Sequence, residues 1–398
     1  MTAIATYNQA VVLDIIRRAP DGIGRARLAE LTGLVPQSIS NTTRKLLDEG
    51  LIEECRTAPV GRGKPPMVLR LRPEARYAVG VHIDADVVGY ALVDLGCNVV
   101  ASHVSATPPA NDATSALAEL TENVTRLLES SGVRRSAVLG VGVGAPGPLD
   151  TSHGVIGGPR HLDQWRDVPI RDAIVRATGL PVLLEKDVTA AIVGELWTAM
   201  GRRDRSLTYV YLGAGVGIGA ALCGEPVRGV HGNAGEGGTL VIDTDRPAAI
   251  GGTRMLGHLV DPAQLLEDAA ASGGIPTTEP GRTPTIGDLV AAARGGHPGA
   301  CAVFARAGSH IADAVVSVVN LLDVDEVVFG GPAWPHVGEL LLPEFQHRLD
   351  TSPLRSTPRP LTVTLPRSTD DVAALGAACL VLDASLSPRS SGMLIARN

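Results

Sequence analysis

Three observations predict a multidomain chain with a small helical module in front of a larger, two-lobed α/β body. The 398 residues exceed one ordinary domain, and a hydrophobic content of 44% is enough to bury more than one core. Charge is uneven: residues 1–70 hold ten Lys plus Arg against seven Asp plus Glu, so this piece is +3 and the remainder −10 of the net −7. Near residue 75 the texture changes from short helical patterns to Gly-, Val- and Ala-rich strand runs.

In the basic segment, Val12, Ile15 and Ile16 share one helical face, and Pro20-Asp21-Gly22 stops that helix. RARLAELTGL gives a second short helix ending at Gly33. Pro36 suits the first position of a third helix, although Val35 before it lacks the side chain of a good cap. In that helix Ile39, Thr43 and Leu46 form the inward stripe, leaving Gln37, Ser38, Ser40, Asn41 and Arg44 outside. A strand from Leu51 to Arg56, the turn Gly61 to Pro66 and a strand from Met67 to Leu71 make a β-wing with Arg62 and Lys64 at its tip.

Three helices and a wing predict a winged helix-turn-helix over residues 1–75. Its chemistry suits double-stranded DNA, because amide and hydroxyl side chains reach base edges in the major groove while a wing cation meets phosphate or the minor groove. A helical cap or dimerisation module with a merely solvated face is the competing reading. Such a module has no use for two cations set among glycines and prolines beside that helix.

Beyond residue 75, AVGVHID, GYALVDL, AVLGVGVGAPG and PVLLEKD read as strands. A second series begins at LTYVYLGAGVGIGAAL, passes the helix CAVFARAGSHIADAVVSVVNLL and returns to the strand EVVFGGP. Both series open as strand, turn, strand, which suggests a duplication. The N-terminal apolar run is too short and periodic for a signal peptide or a span, and no later segment reads as long and apolar enough to cross a membrane. Cys55, Cys97, Cys223, Cys301 and Cys379 lie far apart without paired spacing, so neither a disulfide nor a thiolate metal site is expected, and a reducing cytoplasm fits.

The order of the winged helix, GVGVGAPGPLD, LLEKDVTAA, YLGAGVGIGAAL, GNAGEGGTLVID, VVFGGP and ALGAA resembles the ROK family (repressors, open reading frames, kinases) over nearly the whole chain. The resemblance implies an actin-like body of two ribonuclease H-like lobes, with a nucleotide cleft between them and a sugar site beside it. The first lobe is expected at 76–197, rejoined by 372–398, and the second at 198–371. The resemblance also implies that some members are kinases without the DNA-binding module, while others are sugar-responsive repressors that carry it.

The chain departs from the family pattern where phosphate chemistry would occur. The first phosphate turn is expected to read Asp-x-Gly-Gly-Thr, but here it is His82, Ile83, Asp84, Ala85, Asp86, and Ala214 replaces a Thr in the second turn. Two like charges about 4 Å apart cost about 4 kcal/mol at an effective dielectric near 20, roughly a thousandfold in affinity. The nucleotide site is therefore expected to be disabled, with no catalysis and no cofactor.

On the sugar side, Asp187 matches the general base and Glu236 a sugar-contacting Glu. Lys186 and His161 replace two asparagines, and Thr239 replaces a His that contacts sugar and zinc. These five make the expected ligand site. Lys186 either favours an anionic sugar or pairs with a neighbouring carboxylate. The region matching the zinc loop has no cysteine, and His258 alone cannot hold the metal, so none is expected.

The resulting expectation is a cytoplasmic transcriptional regulator, homodimeric or a dimer of dimers. It would bind a palindromic DNA operator under control of a small-molecule effector. An ATP-dependent sugar kinase with an attached DNA-binding domain is the alternative, resting on Asp187 and the glycine turns. A ligand-independent DNA-binding protein with a structural body is a third.

Overall fold

The computed structural model describes residues 3–56, 67–85, 87–108, 113–158, 162, 165–199, 204–213, 215–242, 254–275, 282–356, 359–365 and 372–388. The wing tip with Arg62 and Lys64, together with Asp86, His161 and Ala214, lies outside the described residues.

Three helices open the chain: α1 (Ala3–Arg17), α2 (Arg25–Thr32) and α3 (Pro36–Asp48). Gly33 ends α2 in the left-handed region at φ 68°, where its amide donates to the Ala29 carbonyl. α3 starts at Pro36 without a side-chain cap at Val35, and it buries Ile39, Thr42, Thr43 and Leu46. Ile39 and Leu46 meet Val12, Leu13 and Ile16 of α1 and Leu28 of α2 in one cluster. Next come β1 (Ile52–Arg56) and β2 (Met67–Leu71), an antiparallel pair. The strand begins one residue later than expected because the Leu51 amide is used to close α3, on the Leu46 carbonyl. Ile23 bridges Leu69, which ties the α1–α2 turn to the hairpin.

The body starts with β3 (Tyr77–Ile83), β4 (Val87–Asp94), β5 (Val99–Ala106), α4 (Ala113–Ser130) and β6 (Val138–Ala145). A small ribbon of β7 (Leu149–Asp150) and β8 (Val155–Ile156) follows, then α5 (Ile170–Thr178), β9 (Val182–Lys186) and α6 (Asp187–Thr198). The second series runs β10 (Leu207–Leu212), β11 (Val216–Leu222), β12 (Glu225–Pro226), α7 (Leu256–Leu259), α8 (Pro262–Ala271), α9 (Ile286–Arg294) and α10 (Pro298–Leu322). It closes with β13 (Glu326–Gly330), α11 (Trp334–Thr351), β14 (Thr362–Thr364) and α12 (Val372–Leu386).

The two sheets have orders β5-β4-β3-β6-β9 and β12-β11-β10-β13-β14. In each, the first three strands in sequence pair antiparallel and the last two join parallel. This shared topology gives structural form to the duplication suggested by the sequence. β3 and β6 are buried almost throughout, which accounts for their continuous apolar runs.

α12 carries the chain back to the first sheet. A Cβ on Gly80 would lie 1.8 Å from the Ala374 carbonyl oxygen and one on Gly142 1.8 Å from that of Ala377, so this close approach requires glycine at both positions.

One sequence expectation fails. α10 is, by length and composition, long and apolar enough to cross a membrane, but 56% of its most apolar stretch is buried. Its Val303, Phe304, Ile311 and Val315 lie in the second-sheet core with Phe329 and Phe345, which explains the apolarity. Cysteines distant in sequence meet in space: the return of α12 brings the free Cys379 against the free Cys97, with sulfurs 2.6 Å apart across 282 residues of sequence. Spacing along the chain carries no information about such a pair.

Candidate ligand cleft and nucleic-acid interface

The cleft is built where the β3–β4 and β10–β11 turns meet. Asp84 is fixed in the first turn: its amide donates to the Val87 carbonyl (3.0 Å), its carbonyl accepts the Thr107 hydroxyl (2.7 Å), and its Oδ1 accepts the Ala85 amide (2.7 Å). Its carboxylate reaches the second turn, where a Cβ on Gly213 would stand 3.2 Å from Oδ2. At the end of β3, buried His82 shares a 2.7 Å hydrogen bond between Nε2 and the Tyr211 hydroxyl of β10. The two rings meet edge to face at 6.2 Å. A carboxylate and a hydrogen bond between the sheets thus lie where the β3–β4 and β10–β11 turns approach each other.

The β9–α6 junction supplies Glu185, Lys186 and Asp187. Lys186 is buried and bonded to Glu236 Oε1, and Arg228 Nε donates to Glu185 Oε1 at 2.8 Å. The Asn233 side chain clamps the backbone of Leu149, accepting from its amide at 2.8 Å and donating to its carbonyl at 2.7 Å. Asp187, half-buried at the start of α6, accepts the Val188 amide at 2.6 Å. Burial raises its carboxyl from 3.8 to about 6, with His82 and Lys186 opposing the rise and Asp84 adding to it.

Of the expected ligand residues, the structure brings Lys186 and Glu236 into contact and sets Asp187 beside Lys186. Thr239 is exposed and donates its hydroxyl to the Glu236 carbonyl at 2.7 Å. His258 sits on α7, whose Gly257 packs against Gly238. Tyr211, Arg228 and Asn233 escaped the sequence reading. Tyr211 had one visible signal, a hydroxyl in a buried strand, which it shares with Thr208 and Tyr209. The other two share the glycine-rich segment of Glu236, but no periodicity marks their direction.

On α3, Gln37, Asn41 and Arg44 are exposed and Ser38 and Ser40 partly so; Gln37 donates to Asn41 at 3.1 Å, one helical turn on. Behind this helix, α1 is bolted to the end of α6. Arg17 donates to the Trp197 carbonyl, stacks 4.0 Å from the Trp197 ring and pairs with Asp14 at 2.7 Å. Arg18 donates to the Ala199 carbonyl at 3.0 Å and pairs with Asp14 at 3.1 Å. Two guanidinium groups thereby satisfy carbonyls that α6 leaves open at its C-terminus, where cations are favourable. Arg205 ties the same end to the second sheet, bridging Glu195 (2.9 Å) and Glu326 (2.6 Å). A cavity of about 200 Å³ opens beside this junction, lined by Arg18, Trp197, Asp204, Glu225 and Asp383 among others.

Comparison with known proteins agrees with this architecture. The xylose repressor of Bacillus subtilis is 26% identical over 257 residues, 64% of this chain, and the match spans only 65% of the repressor's length. A transcriptional regulator of Mycobacterium tuberculosis is 30% identical over 329 residues, covering 80% of this chain and 73% of that protein. Among solved structures, a ROK family transcriptional regulator homologous to the E. coli MLC protein superposes with a TM-score of 0.78 at 23% identity, over 96% of each chain. A ROK hexokinase from Thermus thermophilus superposes at 0.60 with 27% identity, over 76% of this chain and 97% of its own. The ROK family model matches residues 78–384, which takes in both sheets and the returning α12, and the chain belongs to the ROK family.

Proposed function

We propose that this protein is a DNA-binding transcriptional repressor whose operator affinity is set by a sugar in the interlobe cleft, without catalysis. In this reading residues 1–75 are a winged helix-turn-helix, 76–197 with 372–398 the first lobe, and 198–371 the second. Gln37, Ser38, Ser40, Asn41 and Arg44 read the major groove, and Arg62 and Lys64 meet phosphate or the minor groove. Two copies present their α3 helices to the two halves of a palindrome.

The observation that carries the reading is α6. Its first residue is the cleft carboxylate Asp187, and its last turn is capped by Arg17, the last residue of α1, and by Arg18 just after it. A helix of 12 residues is a rod of about 18 Å, so a shift at one end is delivered to the other. Ligand that prefers one lobe arrangement shifts the population of α1 positions by its difference in affinity for the two states.

The cleft chemistry supports a neutral sugar over an anionic one. Lys186 is committed to Glu236 and Arg228 to Glu185, while Asp84 and Asp187 add two further carboxyl groups. The relative named xylose repressor points to the same class of effector.

The test begins with selection from a random double-stranded DNA library by the full chain, followed by a screen of pentoses, hexoses and their phosphates for release of the enriched site. Failure to enrich any sequence would sink the DNA-binding reading. A sugar kinase is the second reading, favoured by the raised pKa of Asp187, which suits a general base. ATP turnover that vanishes in Asp187→Asn would establish it; the repressor reading expects no turnover, because Asp84 repels phosphate.

A further inference from the structure

Cys97 and Cys379 form a built thiol pair. Cys97 lies in the β4–β5 turn, and Cys379 lies on α12, the helix that closes the first sheet. The turn is rigid. Asp94 Oδ1 accepts the amides of Gly96 and Asn98 at 2.9 Å each, the Cys97 amide donates to the Asp94 carbonyl at 3.0 Å, and the Leu95 amide donates to Pro73 at 2.9 Å. α12 is equally fixed, since Gly80 and Gly142 let it seat directly on the sheet. The backbones that carry both sulfurs are thus held in place, and at 2.6 Å the sulfurs stand well inside ordinary sulfur–sulfur contact.

We propose that Cys97 and Cys379 are a redox modification site that closes to a disulfide on exposure to hydrogen peroxide. The half-buried Cys97 is the accessible member, and Cys379 is fully buried. Cys97 thiolate attacks one peroxide oxygen, the O–O bond breaks, and the other oxygen leaves as hydroxide, which takes a proton to become water. The resulting sulfenic acid is attacked at sulfur by Cys379: the S–S bond forms, the S–O bond breaks, and the Cys379 proton leaves with the hydroxide as a second water. Two thiols and one peroxide thus give one disulfide and two waters, with two electrons passing from sulfur to oxygen.

The site has a structural consequence. Cys379 shares a core cluster with Val12 and Ile16 of α1 and Trp197 of α6, and Leu95 of the Cys97 turn is in the same cluster. The crosslink therefore sits under the joint between the N-terminal helices and the body.

The experiment uses the full chain, reduced, exposed to hydrogen peroxide, then alkylated and mapped by mass spectrometry. The expected product is a Cys97–Cys379 crosslinked peptide lighter by two hydrogen atoms than the two thiol peptides, while Cys223 and Cys301, both exposed, are recovered largely alkylated or singly oxidised. The melting temperature should rise on oxidation in the native protein and not in Cys97→Ser, which changes only a turn residue. In Cys379→Ala, dimedone should trap a Cys97 sulfenic acid that does not accumulate in the native chain. Recovery of Cys97 and Cys379 as free thiols, or oxidation of Cys97 without linkage to Cys379, would overturn the proposal.

Discussion

The guanidinium of Arg17 stacks 4.0 Å from the centre of the Trp197 ring and donates to the carbonyl of that same residue, so one side chain of α1 holds both the face and the end of α6. Removing it should loosen the joint without unfolding the body. Arg17→Ala loses a cation–π contact and a charged hydrogen bond, together worth about 2–3 kcal/mol, while Asp14 keeps Arg18 as its partner. Urea unfolding should show that loss. A change below about 0.5 kcal/mol would mean the contact is a surface one, worth no more than an exposed pair.

Asp187 should make stability depend on pH in a definite direction. With its carboxyl at about 6 in the folded chain against 3.8 ordinarily, the folded state binds more protons between those values. Its contribution to stability therefore falls as pH rises through that window and stays lost above it. Asn cannot ionise, so Asp187→Asn should be close to neutral at pH 4 and stabilising by on the order of 2 kcal/mol at pH 7. Melting curves of both proteins at the two pH values check the sign; a destabilised mutant at neutral pH would show that the carboxylate is held by partners rather than penalised by burial.

The Lys186–Glu236 pair should be asymmetric. Lys186 has 4% of its side chain exposed and Glu236 51%. Glu236→Gln strands a buried ammonium and should cost more than Lys186→Met, which leaves a carboxylate that water can reach. Denaturant midpoints of the two variants decide it, and equal costs would contradict the burial argument.

The N-terminal helices were legible in the sequence because a stripe of Ile39, Thr43 and Leu46 has a helical period and Gly33 and Pro36 punctuate it. The strands of both lobes were legible for a similar reason: buried strands read as unbroken apolar runs bounded by glycine. The site was only half legible. Lys186, Asp187 and Glu236 could be placed through the family resemblance, but the pairing of Lys186 with Glu236 joins segments 50 residues apart, which no local pattern encodes. His82 illustrates the limit: its departure from the phosphate motif was visible, whereas its bond to Tyr211, 129 residues away, was not. The capping of α6 by Arg17 and Arg18 was hidden for the same reason, since their basic side chains at the end of α1 also suit a solvated helix terminus.

The central claim is that a sugar in the cleft controls DNA affinity through α6. Its most direct measurement is the dissociation constant of the selected DNA site, by fluorescence anisotropy at one fixed salt concentration, with and without the sugar that emerges from the screen, for the native chain and Arg17→Ala. The account predicts at least a tenfold loss of affinity on adding sugar to the native chain, about 1.4 kcal/mol of coupling, and a much smaller change in Arg17→Ala although the mutant still binds the sugar. Equal sugar responses in the two proteins would contradict transmission through α6, and DNA affinity unmoved by any sugar that binds the native chain would contradict the claim itself.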